Sequence, residues 1–213
     1  ESKPAGPVTK TPPSPSSISL DHGESTNRDE KTSTPSAGVS FGPTMNLKLI
    51  LEGYPAQNQA EKIFIGIAGG ATQSAKPNYL LSFSIDLPSN GVFNGLSLAG
   101  LTDGNNYFAV IKGPAQLATS SAFTMSQSVT SLNNGKPIQL LTGDLNEDNA
   151  INSADFAIIK SAFGAMPSSP NWNENSDFNK DGIINIIDVG FVLKNFGLVG
   201  QSGLWSSVPG GSP

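Results

Sequence analysis

A twelve-residue stretch that occurs twice constrains this chain more than any other feature. Asp144-Leu145-Asn146-Glu147-Asp148-Asn149-Ala150-Ile151-Asn152-Ser153-Ala154-Asp155 returns thirty-three residues later as Asp177-Phe178-Asn179-Lys180-Asp181-Gly182-Ile183-Ile184-Asn185-Ile186-Ile187-Asp188. Both copies place side-chain oxygens at positions 1, 3, 5, 9 and 12. These are Asp144, Asn146, Asp148, Asn152 and Asp155, then Asp177, Asn179, Asp181, Asn185 and Asp188. At position 7, Ala150 and Ile183 can offer only a backbone carbonyl. A hard cation that takes about six to eight oxygens is served by this spacing, so each copy reads as a Ca²⁺ loop. Two ions are expected. Position 6 needs a residue that tolerates φ > 0, and Asn149 and Gly182 are such residues. Ile151 and Ile184, at position 8, are expected to point inward, with their two backbones pairing as a short ribbon. Position 12 is Asp in place of the usual Glu, so the following helix must start closer to the ion.

Each loop runs into a helical pattern. Phe156, Ile159 and Phe163 recur at i, i+3, i+7, and Val189, Val192, Leu193 and Phe196 at i, i+3, i+4, i+7. Asn152 and Asn185 are expected N-caps, with Asp155 and Asp188 in the first turn, where negative charge suits the helix dipole. Gly164 and Gly197 stand where a glycine ends a helix.

The charge of −5 is concentrated in this region. Eight acids and three lysines lie in 143–197, so the residues before them sum to zero. No basic patch invites nucleic acid. Cysteine is absent, which leaves calcium as the available staple for a small double-loop module. No apolar run is long enough to span a bilayer. A start at Glu1 instead of Met fits removal of a signal peptide, and equally a trimmed chain or a proteolytic fragment.

Residues 1–38 are a Pro/Ser/Thr-rich tail or linker, suited to O-glycans and too polar to fold alone. Within it Ser17-Ile18-Ser19-Leu20 alternates and could be a strand lent to a neighbour. His22, the one histidine, has no second ligand nearby. From 39 to 142 the signal is β. Leu47, Leu49 and Leu51 alternate, as do Ile63, Ile65 and Ile67, and Leu81, Phe83, Ile85 and Leu87. Further strands are expected over 91–98, 107–112, 122–125, 128–132 and 137–141. Turn signals separate them, including Pro88-Ser89-Asn90-Gly91 and Asn133-Asn134-Gly135. Short strands at this density predict an Ig-like antiparallel β-sandwich. Glu52, Glu61 and Asp86 read as scattered surface acids. Tyr54, Tyr79 and Tyr107 read as core or rim, with a sugar-stacking face as the alternative. No nucleophile–histidine pair and no phosphate loop is present, so an enzyme is not expected. Trp172 is expected between the two helices, and residues 199–213 form a Gly/Ser/Pro tail with Trp205.

The duplicated Asp-x-Asn-x-Asp-x-x-Ile-Asn-x-x-Asp pattern, with Phe-Gly closing each helix, resembles the type I dockerin. The resemblance covers about 143–198, roughly a quarter of the chain. The stretch Asn106-Tyr107-Phe108-Ala109-Val110-Ile111-Lys112-Gly113-Pro114 before it is similar to small β-sandwich modules that precede dockerins in secreted bacterial proteins, a likeness that covers only a few strands. The resemblance implies calcium loops and a cohesin-type partner, contacted at loop positions 10 and 11 and further along the helix. Those positions are Ser153 and Ala154, with Lys160, and Ile186 and Ile187, with Lys194. The apolar Ile186-Ile187 departs from the family's small polar choice, which predicts burial inside the protein or against a partner.

These features lead to an extracellular, calcium-binding, non-enzymatic assembly protein. Its subunits would be held by protein–protein contacts in a filament, sheath or surface layer. The alternatives are a dockerin module docking to a cohesin-type scaffold, with the sandwich as spacer or carbohydrate binder, and the C-terminal part of a larger secreted enzyme.

Overall fold

The computed structural model describes residues 42–70 and 78–201, all within one compact unit. The proposed donated strand, His22, the glycan-bearing tail and Trp205 lie outside the described residues.

Eight strands precede two helices: β1 (Thr44–Leu51), β2 (Glu61–Gly69), β3 (Tyr79–Leu87), β4 (Val92–Ser97), β5 (Asn106–Lys112), β6 (Thr119–Thr124), β7 (Val129–Ser131), β8 (Ile138–Leu140), α1 (Ser153–Ala162) and α2 (Ile186–Lys194). One sheet has the order β3-β2-β5-β6 and is antiparallel throughout. The other is built on β1, which pairs with β4, β7 and β8. Apolar positions at period two supply the core between them. Met45, Leu47, Leu49 and Leu51 of β1 meet Ile63, Ile65 and Ile67 of β2 and Tyr107, Ala109 and Ile111 of β5.

The sandwich is as expected, but two pairings differ. β7 and β8 both run parallel to β1, with Met45 opposite Thr130 and Ile50 opposite Gln139. The Asn133-Asn134-Gly135 turn therefore does not reverse the chain. Asn133 and Asn134 both take left-handed backbone, at φ 52° and 53°, and let the strand resume in the same direction along β1. The tyrosines do not share an exposed face. Tyr107 is buried against Phe123, Tyr54 is buried, and Tyr79 lies edge-on to Phe64.

The two helices do not close a core alone. Ile151, Ile159, Phe178, Ile184 and Val192 pack with Ala115 and Leu117, which belong to the β5–β6 connection. That connection runs beside the chain leaving the sandwich. Leu117 donates its N–H to the Leu141 carbonyl, and Gly143 and Asp144 donate theirs to Ala115.

Glu52 fixes this joint. Read as a surface acid, it is in fact 5% exposed. Its carboxylate accepts from Thr142 N–H, Asn195 Nδ2 and Lys194 Nζ, while its carbonyl accepts from the Thr142 hydroxyl at 2.7 Å. Next to it Gly53, at φ +91°, leaves room for Phe178 and Phe191. A Cβ there would sit 3.1 Å from Phe178 and 3.2 Å from Phe191. Glu61 and Asp86 fit the expectation better, since Glu61 accepts from the Tyr54 hydroxyl and Asp86 pairs with Lys62 at the surface.

Burial pushes the Glu52 carboxyl up, but Lys194, Asn195 and Thr142 together hold it below its ordinary value. A carboxyl with a depressed folded value stabilises the fold above its unfolded value and stops doing so as pH falls through the folded one. Glu52→Gln should therefore lower stability by about 1–3 kcal/mol at neutral pH. The gap from wild type should shrink below about pH 4. Denaturant unfolding of both proteins across pH measures it, and a gap that does not change with pH would contradict the role assigned to this charge.

Candidate metal centre

The two loops fold alike because their polar side chains are bound by their own backbone. Position 12 closes each loop. Asp155 accepts from Leu145 N–H at 2.8 Å, Asn146 N–H at 3.1 Å and Asn152 N–H at 2.8 Å. Asp188 repeats this with Phe178 at 2.9 Å, Asn179 at 3.4 Å and Asn185 at 2.9 Å. The last contact in each set is half of a capping box, whose other half is the Asn152 or Asn185 side chain. The expected N-caps are thus in place. Gly164 and Gly197 follow the helices at φ +80° and +86°.

Position 5 also recurs. Asp148 accepts from Ala150 N–H and Asp181 from Ile183 N–H, both at 2.9 Å. Asn146 and Asn179, at position 3, each accept from the N–H of position 5 at 3.1 Å. The position 7 carbonyls of Ala150 and Ile183 accept from Asn152 and Asn185 Nδ2, both at 3.1 Å. All twelve predicted residues therefore belong to two compact loops whose donors are hard oxygens. Among the described residues, no three Asp, Glu, His or Cys side chains form a metal cluster by themselves. The oxygens gathered in the loops are a mixture of carboxylate, amide and carbonyl groups.

Position 1 separates the copies. Asp177 accepts from Asp181 N–H at 3.2 Å and Gly182 N–H at 2.9 Å. Asp144 is fully buried, and its Oδ2 accepts from Asn149 N–H at 3.1 Å and from Lys112 Nζ at 2.6 Å. Its Oδ1 is buried with no hydrogen-bond partner. An orphaned carboxylate oxygen at the first ligand position is what a cation would satisfy. Burial raises the Asp144 carboxyl, against the opposing pull of Lys112, and burial likewise raises Asp188. Asp181, at the surface, is lowered by hydrogen bonds from Asn179 and from Ile183 N–H.

The position 8 residues are buried as expected, but their backbones do not pair with each other. Ile151 exchanges hydrogen bonds with Gly197 and Leu198, beyond α2, whereas Ile184 exchanges them with Gly164 and Ala165, beyond α1. Each loop is thus closed by the exit of the other copy's helix. Asn149 adds a further tie. Its side chain accepts from Ala118 N–H at 2.8 Å and donates to the Gln201 carbonyl at 2.7 Å, joining loop, sandwich and C-terminal segment.

The helix stripes are only partly internal. Ile159, Val189 and Val192 are buried, but Phe163, Leu193 and Phe196 are about half exposed, at 53%, 53% and 51%. Ile186 and Ile187 are also exposed, at 68% and 54%, so they are not buried within the protein. Lys160 lies at the surface, while Lys194 is turned to Glu52. Trp172 packs against the second core.

A family comparison bears on this double loop. Residues 142–196 match the dockerin type I domain. Such domains bind calcium. No curated protein matches the chain. Among solved structures, a chain from a type II cohesin–X–dockerin complex of Acetivibrio cellulolyticus, an N-terminal interface mutant, is similar at TM-score 0.54. It is 24% identical, and the likeness covers 74% of this chain and 97% of that one. The C-terminal interface mutant of the same complex is similar at TM-score 0.53 and 23% identity, over 74% and 97%. The covered share far exceeds 142–196, so the likeness in fold takes in the sandwich as well as the dockerin module.

Asn149→Gly keeps the left-handed backbone at this position, φ 67°, and removes both side-chain ties. It should lower stability by about 1–3 kcal/mol, because Ala118 N–H loses its acceptor. Thermal or urea unfolding checks this, and an unchanged midpoint would show that the tie contributes nothing.

Proposed function

We propose that this protein is a calcium-dependent docking module. In this reading the dockerin double loop holds two Ca²⁺ ions through Asp144, Asn146, Asp148, Ala150, Asn152 and Asp155, and through Asp177, Asn179, Asp181, Ile183, Asn185 and Asp188. It presents the outer face of α2 to an extracellular cohesin-type domain. The sandwich is a non-catalytic companion that completes the module's core.

One observation supports this above the others. All but three of the exposed large apolar side chains among the described residues lie between Phe163 and Val199. On α2 they form a face. Ile186, Gly190 and Leu193 are successive at i, i+4, i+7, with Ile187 beside them, and Gly190 leaves the patch flat. The matching positions on α1 are Ser153, Ala157, Lys160 and Ala154, which are small or charged. The two copies thus offer different faces, and the apolar one suits a protein partner. Self-assembly into a filament, expected from the sequence, gains no support from the dockerin match, whereas docking does.

A charge in the centre of an apolar interface has no compensating partner. Ile187→Asp should therefore weaken cohesin binding at least about tenfold, more than Ala154→Asp does. Calorimetric titration against a panel of type I and type II cohesins measures both variants, with calcium and with excess chelator. Binding that survives Ile187→Asp but not Ala154→Asp would assign docking to α1. Binding unaffected by chelator would separate docking from calcium.

A further inference from the structure

The two loops have the same ligand residues at positions 1, 3, 5, 9 and 12, yet only one has a fixed cation inside it. Lys112 ends β5, is 2% exposed, and points from the sandwich into loop 1. Its ammonium donates to Asp144 Oδ2 at 2.6 Å and to the Gln116 carbonyl at 2.9 Å. The ion pair is almost completely enclosed, with side-chain exposures of 1% and 0%. In loop 2 Asp177 is bound by backbone N–H groups of its own loop. The lysine of that loop, Lys180, is turned away, with its ammonium 4.7 Å from the Tyr54 ring centre.

Each loop carries three carboxylates at its oxygen positions, Asp144, Asp148 and Asp155 in one and Asp177, Asp181 and Asp188 in the other, and loop 1 has a fourth, Glu147, at position 4, outside those positions. The affinity of such a loop for calcium depends on its ligand charge and rigidity. Lys112 cancels one charge in loop 1, on the oxygen adjacent to the orphaned Asp144 Oδ1.

Resting on the calcium reading above, we infer that Lys112 makes the loops inequivalent. Loop 1 is the weaker calcium site, and in metal-free protein it is braced to the sandwich by the lysine. Loop 2 is the tighter site and carries the calcium response. The division suits the architecture. Loop 1 is tied to the sandwich through Lys112 and Asn149, whereas loop 2 leads directly into α2 and its apolar face. The Lys112–Asp144 brace then persists at low calcium, while loop 2 and the first turn of α2 depend on the ion.

Calorimetric titration of the full chain with calcium chloride tests this. Wild type should show two classes of site differing at least about tenfold in affinity. Asp181→Ala, at an exposed position of loop 2, should remove the tighter class, and Asp148→Ala, its counterpart, the weaker. Lys112→Met keeps the apolar stem and should strengthen the weaker class by about tenfold. Two equal classes, loss of the tighter class in Asp148→Ala, or no strengthening in Lys112→Met would overturn the inference. If Lys112→Met does not fold, the other three proteins still decide it. Absence of any calcium binding would instead overturn the calcium reading itself.

Discussion

The structure depends on one buried polar joint. Glu52 leaves β1 and meets Thr142, where the chain leaves the sandwich, and Asn195, where α2 ends. A carboxylate so enclosed costs several kcal/mol to desolvate, and only a full set of donors offsets that cost. Thr142, Asn195 and Lys194 supply the set. The same geometry that satisfies Glu52 brings Ala115 and Leu117 into the helical core. Polar and apolar groups therefore fix one relation between sandwich and double loop. Lys112 and Asp144 repeat the arrangement on the loop 1 side.

A dockerin module has little apolar mass of its own. Its two helices are nine and ten residues long, too short to be stable in isolation. Three things compensate. Position 12 of each loop serves at once as loop clasp and helix cap. Each position 8 isoleucine is bound by the exit of the opposite helix, so neither copy closes without the other. The β5–β6 connection then fills the remaining side of the core. This economy leaves the outer face of α2 free of internal duties, with its isoleucines and Leu193 at the surface.

Local periodicity carried much of this. Alternating leucines and isoleucines marked β1 and β2, the Asp/Asn spacing marked the loops and their caps, and Gly164 and Gly197 marked the helix stops. What the sequence did not reveal is long-range. Glu52 looks like any lone acid before a glycine, because its partners lie 90 and 143 residues away. Lys112 looks like a charge ending a strand, since Asp144 is 32 residues on. Parallel pairing of β7 and β8 leaves no local trace, because period two is the same in either direction. The crossed pairing of Ile151 and Ile184 was hidden by the repeat itself. Two similar copies offer the same local signals whether a loop meets its twin or its twin's exit. Ile186 and Ile187 stand out in the sequence as an apolar pair, but only the fold shows that they face outward.

Differential scanning calorimetry of the full chain tests most directly whether sandwich and dockerin module are one physical unit. The joint through Glu52 and the shared core predict one cooperative transition, with calorimetric and van't Hoff enthalpies in agreement, that moves as a whole to higher temperature with calcium. Two separate transitions, of which only the smaller responds to calcium, would contradict the account.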